Sequence, residues 1–264
     1  MEACIRTRTH YLDITGEIAV FERAKSMHER AMEAGIMFMS GVGFDVVPTD
    51  CIALHLKNLL PDATHLKLAF GSVGGGLSHG TAITMAEGAG EPGAARVNGR
   101  IVPVPIGQKG MWVDFGIKKL FTMTIPWGDV STAWHTTGIP DIEAFTHVKP
   151  ALYQIMKWQW LLNPLLRTSW FRRLLRKRID RQQAGPDDHM RASARSLAWA
   201  EVRNERGDRV SAWLSGPDVY DITAHAALIV AGRVKMGQFA AGYQTPAGIY
   251  GPDLVLGVPG VVVH

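Results

Sequence analysis

Apolar and polar positions change period several times along the chain, and each change marks an element. Val20, Ala24, Met27, Ala31 and Met32 recur at helical spacing. That spacing predicts a helix over Ala19–Ala34, ended by Gly35 in the left-handed conformation. Tyr11–Ile14 and Ile36–Met39 on either side are short apolar runs. The second is continuous, as in a strand covered on both faces. Strand, helix and strand over about 32 residues predict a βαβ unit with parallel strands. Asp50 is placed to cap a helix over Cys51–Leu60 that Pro61 ends.

From His65 the pattern shortens. Leu66–Phe70 reads as a strand, Gly71–Gly76 as a loop, and Thr81–Glu87 as the start of a helix. Val97-Asn98-Gly99-Arg100 is a hairpin turn with Ile101–Val104 returning. Met111–Phe115, Phe121–Ile125 and Ile142–His147 are further strands. Residues 150–182 are helical, with a break expected near Asn163-Pro164. Ser196–Arg203 and Arg209–Leu214 flank a second hairpin turn. A helix over Tyr220–Met236 is followed by a loop from Gln244-Thr245-Pro246 and a last strand. The expected fold class is α/β + α+β. Residues 1–60 would be the C-terminal remnant of a Rossmann parallel sheet, and 61–264 a mixed, largely antiparallel α+β domain. Two parallel strands need neighbours, and the residues before His10 read as the end of a helix. The chain is therefore expected to begin inside a doubly wound sheet.

Composition narrows this picture. Of 264 residues 47% are apolar and 20% charged, which suits a packed core. Cys4 and Cys51 lie far apart and read as reduced thiols. No apolar run is long enough for a signal peptide or a membrane span, which suggests a cytoplasmic protein. The net charge of +4 is an average. Pro150–Gln183 holds eight Lys or Arg against Asp180 alone, a local +7, so the remainder is −3. Trp158, Trp160, Trp170 and several leucines interleave with these cations. The segment reads either as a helix pair packed on the core with a solvated basic face, or as a peripheral membrane contact through 150–183. Nucleic-acid binding has no motif to support it. The histidines show no HxxH or HExxH spacing for a metal, and no GxSxG marks a serine nucleophile.

The candidate chemistry lies where the parallel strands end. Ligands of open α/β sheets sit outside the carboxyl ends of the strands. Asp13, Glu17, Asp45 and Asp50 would put four carboxylates there, and Gly41 and Gly43 would let backbone approach a ligand. The plainer reading is a turn shaped by Gly41, Gly43 and Pro48. Asp129 and His135 are possible substrate contacts from the second domain, while Trp127 and Trp134 read as core residues.

His10-Tyr11-x-Asp13-x-x-Gly16-Glu17 and Gly41-x-Gly43-Phe44-Asp45-x-x-Pro48-x-Asp50 resemble motifs of the saccharopine dehydrogenase-like oxidoreductases. The closest branch includes trans-acting enoyl reductases of lipid assembly. The resemblance continues through Gly80-Thr81, Ile125-Pro126-Trp127-Gly128-Asp129, Thr137-Gly138-Ile139-Pro140, Gly185-Pro186 and Gln244-Thr245-Pro246. It implies a Rossmann domain binding NADP or NAD, an α+β domain for substrate and dimer contacts, and hydride transfer to an imine or enoyl-type small-molecule or lipid substrate. Tyr11, Gly16, Gly41, Gly43, Phe44 and Pro48 would contact the cofactor. Asp13, Glu17 and Asp45 would orient cofactor or substrate. The family's phosphate loop would lie before Met1, and Gly71–Gly76 does not match GxGxxG. Cofactor affinity is therefore expected to be impaired. The alternative is a non-catalytic remnant acting at a membrane surface or on a protein partner. Exposed sheet edges suggest a homo-oligomer.

Overall fold

A computed structural model describes residues 1–75, 79–181 and 188–264. The chain opens with α1 (Glu2–Thr7), β1 (Tyr11–Leu12), α2 (Ile18–Ser26), α3 (His28–Ala34), β2 (Met37–Met39) and α4 (Val47–Leu59). Next come β3 (His65–Val73), α5 (His79–Glu87), the hairpin of β4 (Gly93–Val97) and β5 (Arg100–Val104), and the hairpin of β6 (Gly110–Asp114) and β7 (Lys119–Thr124). They are followed by α6 (Asp129–Thr137), β8 (Asp141–His147), α7 (Pro150–Lys157), α8 (Gln159–Leu166), α9 (Ser169–Ile179) and α10 (Asp188–Ser193). The chain continues with β9 (Arg195–Arg203), β10 (Arg209–Gly216), α11 (Val219–Lys235), β11 (Gly242–Tyr243), α12 (Pro246–Tyr250), a 3-10 turn (Pro252–Gly257) and β12 (Val262–Val263). The Gly185-Pro186 motif, Gly76, Gln182 and Gln183 lie outside the described residues.

The small sheet has the order β1-β2-β11, all parallel. Its central strand is apolar and buried throughout, as a strand covered on both faces must be. Two histidines extend its hydrogen bonding. His10 Nδ1 accepts the Met37 N–H at 3.0 Å, and His28 Nδ1 accepts the Tyr243 N–H at 3.0 Å. Both nitrogens act as acceptors, so neither carries a proton. The single helix expected over Ala19–Ala34 is two. Met27 leaves the helical region at φ −103°, ψ 11°, and its N–H turns back to Ala24 O. The bend keeps Met27 and Ala31 in a small core with Ile36 and Phe38 and brings His28 to β11.

The second sheet has nine strands, in the order β12-β10-β9-β3-β8-β4-β5, with β6-β7 joined through β7 to β8. Only β3 and β8 are parallel. The fold is thus a small parallel α/β unit with a mixed, largely antiparallel α+β unit. Asn98 and Gly99 both take positive φ (48° and 76°), which the expected tight hairpin requires. Gly71–Val73 is strand rather than loop, because β9 continues the ladder as far as Arg195. Gly71 fits there because a Cβ would come 2.9 Å from the His147 Cβ. In the basic segment the break is not at Pro164, which α8 carries within its length. The chain breaks instead at Trp158 and at Thr168, whose hydroxyl accepts the Phe171 N–H and caps α9.

Helix α4 joins the two sheets. It starts at Val47, not Cys51, with Pro48 in the first turn where a missing N–H costs nothing. Asp50 is therefore no cap but a buried residue inside the helix. Cys51, Ile52, Ala53 and Leu56 of α4 pack in one core with Met37 and Met39 of β2, Leu66 and Leu68 of β3, and Ala198 and Ala200 of β9. Burying each of the larger side chains among them, such as Ile52, Leu56, Leu66 and Leu68, stabilises the fold by about 1.5–3 kcal/mol.

Candidate functional site

Because β1, β2 and β11 are parallel, the segments that leave them emerge at one edge. These are residues 13–17, 40–46 and 244–245. The first two were expected from the sequence. The third was not, because Gly242-Tyr243 is too short to show a period.

Hydrogen bonds tie the first two segments together. Asp13 Oδ1 accepts the N–H groups of Thr15 (3.0 Å) and Gly41 (3.1 Å), and the Asp13 carbonyl accepts from Val42 (2.8 Å). Gly41 has φ +77°, and a Cβ there would lie 2.5 Å from Val46 Cγ2. A Cβ on Gly43 would lie 2.8 Å from Thr223 Cγ2, and the Phe44 N–H donates to the Thr223 hydroxyl at 3.1 Å. A Cβ on Gly16 would lie 2.9 Å from Asp45 Oδ2. The glycines thus admit close approach, and it is this chain's own side chains that approach. Tyr11 packs its ring edge-on to Phe38, and burial, then Asp13, push its pKa up to about 12. Glu17 is exposed at the start of α2, where it makes no side-chain capping bond.

Three carboxylates gather behind this edge. Burial pushes the pKa of half-buried Asp45 up to about 6. Its carbonyl accepts from Trp127 Nε1 at 3.0 Å, and the Trp127 ring packs on Phe70. Asp50 is wholly buried. Its Oδ1 accepts from the Thr136 hydroxyl at 2.6 Å and its Oδ2 from the Ala247 N–H at 2.9 Å. Burial outweighs both bonds and raises its pKa to about 7. The Thr136 hydroxyl also lies 2.6 Å from that of Thr245, so the third segment joins the cluster. Asp129, wholly buried at the start of α6, has its pKa raised well above the ordinary range by burial and by Asp50 and Asp45. The Thr49 hydroxyl lies 2.6 Å from Asp129 Oδ1 and 3.0 Å from the Val46 carbonyl. One hydroxyl hydrogen cannot serve both. A protonated Asp129 donating to Thr49, with Thr49 donating to Val46, satisfies all three. His135 sits edge-on to Tyr243 at 4.9 Å, and burial, then Lys25 and His28, lower its pKa.

Asp13 Oδ2, Ser40 Oγ, Asp129 Oδ2 and the Tyr243 hydroxyl are buried with no hydrogen-bond partner among the described residues. Unpaired buried polar atoms are costly, and Ser72 Oγ, Asn163 Oδ1 and Asp218 Oδ2 share that state elsewhere in the fold. The sequence named Asp13, Asp45, Asp50 and Asp129. It named Thr245 only within the Gln244-Thr245-Pro246 motif and gave no role to Ser40, Tyr243, Thr49 or Thr136; the partners of Thr49 and Thr136 come from remote segments.

Asp13 Oδ2 and Ser40 Oγ are an acceptor and a donor of the kind a carboxamide needs, and both are buried. The pyrophosphate finds no match here. Glu17, acidic and exposed, precedes α2 and disfavours an anion there, and at the start of α4 the Val46 and Val47 N–H groups already donate to the Gly43 carbonyl. A literal GxGxxG occurs at Gly88-Ala89-Gly90-Glu91-Pro92-Gly93. It leaves helix α5 and enters strand β4, the reverse of the strand-to-helix order that presents phosphate-binding N–H groups. No group of three His, Cys, Asp or Glu among the described residues is arranged to hold a metal ion. Two clefts, of about 290 Å³ beside Pro103, Met156 and Arg167 and about 180 Å³ beside Cys51, His55 and Leu256, lie away from this edge. Neither holds one of the perturbed carboxylates, and burial raises the Cys51 thiol so that it stays protonated.

No family model matches the chain, and no curated protein matches it. Among solved structures it is similar to saccharopine dehydrogenase (L-Glu forming) from Saccharomyces cerevisiae, with a TM-score of 0.55 at 12% identity over 97% of this chain and 77% of that one. It is also similar to homospermidine synthase from Legionella pneumophila, solved in complex with NAD, with a TM-score of 0.58 at 9% identity over 99% of this chain and 72% of that one. At these identities the likeness is one of fold. The chain has a saccharopine dehydrogenase-like fold.

Proposed function

We propose that the chain is a nicotinamide-dependent oxidoreductase that delivers hydride to an imine or enoyl-type small-molecule or lipid substrate. The observation that carries this reading is the convergence of three parallel strand ends on Asp13, Asp45 and a set of unpaired buried polar atoms. The fold shared with saccharopine dehydrogenase and with the NAD complex of homospermidine synthase supports it. NAD or NADP would supply the hydride. Tyr11, Gly16, Gly41, Gly43, Phe44 and Pro48 remain the proposed cofactor contacts. Asp13 holds the backbone of Gly41, and Glu17 lies at the open rim. Asp45 can hold a proton on its carboxyl up to about pH 6 and pass it to the reduced product.

Titration with NADPH and NADH, followed by nucleotide fluorescence, tests this reading. Binding below millimolar concentration is expected, weakened because the pyrophosphate has no match. In an assay with an accepted imine or enoyl substrate, Asp45→Asn should lower turnover by about a hundredfold or more. The rate should fall as pH rises through about 6, and that limb should vanish in Asp45→Asn. No nucleotide binding up to millimolar concentration would leave the second reading, a fold kept without its redox chemistry. The filled glycine faces and the want of a free helix N-terminus for the pyrophosphate favour that alternative.

A further inference from the structure

The basic segment exposes its apolar side chains. Ile155 (64%), Trp158 (62%), Leu161 (55%), Leu165 (48%), Trp170 (62%) and Leu174 (50%) all face solvent, at helical or near-helical intervals along α7, α8 and α9. A core-packing helix pair would bury such a stripe. Among the side chains described on these helices the buried one is Tyr153, on Phe121 at 5.0 Å. Phe121 also carries the exposed Trp112 edge-on at 5.5 Å, which adds a third tryptophan beside α7.

The cations divide in two. Arg167 donates to the Gly90 carbonyl, Arg172 to Ala89 and Glu91, and Arg176 pairs with Glu87. These bonds clamp α8 and α9 to the loop after α5. Lys149, Arg173, Lys177, Arg178 and Arg181 are exposed, and none pairs with an acidic side chain among the described residues. An apolar stripe with tryptophans and unpaired cations, on helices held down by their other side, has the make-up of an interfacial membrane-binding surface. A second copy of this chain is a poor occupant, because two faces would meet that each carry Arg173, Lys177 and Arg178 with no acidic partner among the described residues. An anionic bilayer matches the charge. Among the described residues no helix is long and apolar enough to cross a membrane, so the contact is peripheral.

We infer that α7–α9 dock the protein on the surface of an anionic lipid bilayer, with Trp158 and Trp170 in the interface and Arg173, Lys177 and Arg178 over the headgroups. This inference is independent of the oxidoreductase reading, and its test needs no turnover. The full chain is sedimented with vesicles of phosphatidylcholine alone and of phosphatidylcholine with phosphatidylserine, at low and high salt. Binding to the phosphatidylserine vesicles at low salt is expected, weakened by salt. Reversing three cations together (Arg173→Glu, Lys177→Glu, Arg178→Glu) should weaken it on the order of a hundredfold. Trp158→Ser with Trp170→Ser should abolish the blue shift of tryptophan fluorescence on vesicle addition. Circular dichroism of both variants should match the parent, since these side chains are exposed. Failure of the folded parent to sediment with either vesicle would overturn the inference. So would equal binding to both vesicle types that charge reversal leaves intact. Tryptophan variants that halve the mass in light scattering yet still bind vesicles as the parent does would assign the face to a second copy instead.

Discussion

At Gly41 a side chain has nowhere to go, and the backbone itself is in a region that L-residues avoid. Gly41→Ala combines φ +77° with a Cβ pressed on Val46 and Phe21. It should destabilise the protein by about 2 kcal/mol or more, read as a lower urea midpoint with unchanged slope. Asp50 acts through protonation. Its carboxyl is raised from 3.8 to about 7 in the folded chain, so above the unfolded value the unfolded state binds fewer protons than the folded one. Stability is therefore fully present below about pH 4 with respect to this group and is lost as pH rises towards about 7. Asp45, raised to about 6, and Asp129 act in the same direction. Asparagine mimics the protonated acid. Asp50→Asn should flatten the fall in stability between about pH 5 and pH 8 by an amount on the order of 2–3 kcal/mol. Urea melts of parent and variant at the two pH values measure it, and parallel curves would contradict the assignment. Part of this was legible in the sequence. Asp50 was visible as a carboxylate beside Gly41 and Gly43, but as a helix cap, because capping is a local signal. Its partners Thr136 and Ala247 lie 86 and 197 residues away, beyond any spacing argument.

The hairpins show the same contrast between elements. Asn98-Gly99 announces its own turn, since the residue types that tolerate positive φ are adjacent between two apolar runs. The turn after β6 hides a tertiary constraint. Gly99 and Gly116 have the same φ, 76° and 77°, but a Cβ at Gly99 meets only Trp134 Nε1 at 3.9 Å, whereas at Gly116 it would overlap the Trp213 ring. Gly99→Ala should cost about 1 kcal/mol, the backbone term alone. Gly116→Ala should cost at least about 1–3 kcal/mol more, because Trp213 is stacked on His264 and cannot withdraw freely. Thermal melts of the two variants side by side check this, and equal losses would mean that the Trp213 contact is slack. The helix expected over Cys51–Leu60 began four residues early for a related reason. Val47 and Pro48 are buried between the sheets, and tertiary burial decides a helix start where no side-chain cap does.

Across the whole molecule, one apolar core runs from β2 through α4 to β3, β8, β9 and β10. Unfolding is expected to be a single transition, with tryptophan fluorescence and far-ultraviolet circular dichroism coincident; separated transitions would show that the two sheets come apart on their own. The overall class, a parallel unit with a mixed sheet, was legible because strand and helix periods alternate cleanly up to Leu60 and hairpin signals dominate after it. The return of the chain to the small sheet was not. Two residues, Gly242 and Tyr243, carry no period, and they become a strand because Met37, Phe38 and His28 are there to meet them.

That late return has a consequence for how the protein is made. Met37 and its partner Gly242 stand roughly two hundred residues apart, so a ribosome adding about 5–20 residues per second needs on the order of 10–40 s between emitting one and the other. Throughout that interval β2 has an open side, and the edge that bears Asp13, Ser40 and Asp45 has no third wall. The crevice is thus assembled after most of the chain has left the ribosome, and whatever shields Met37, Phe38 and Met39 in the meantime must let go before β11 can close on them.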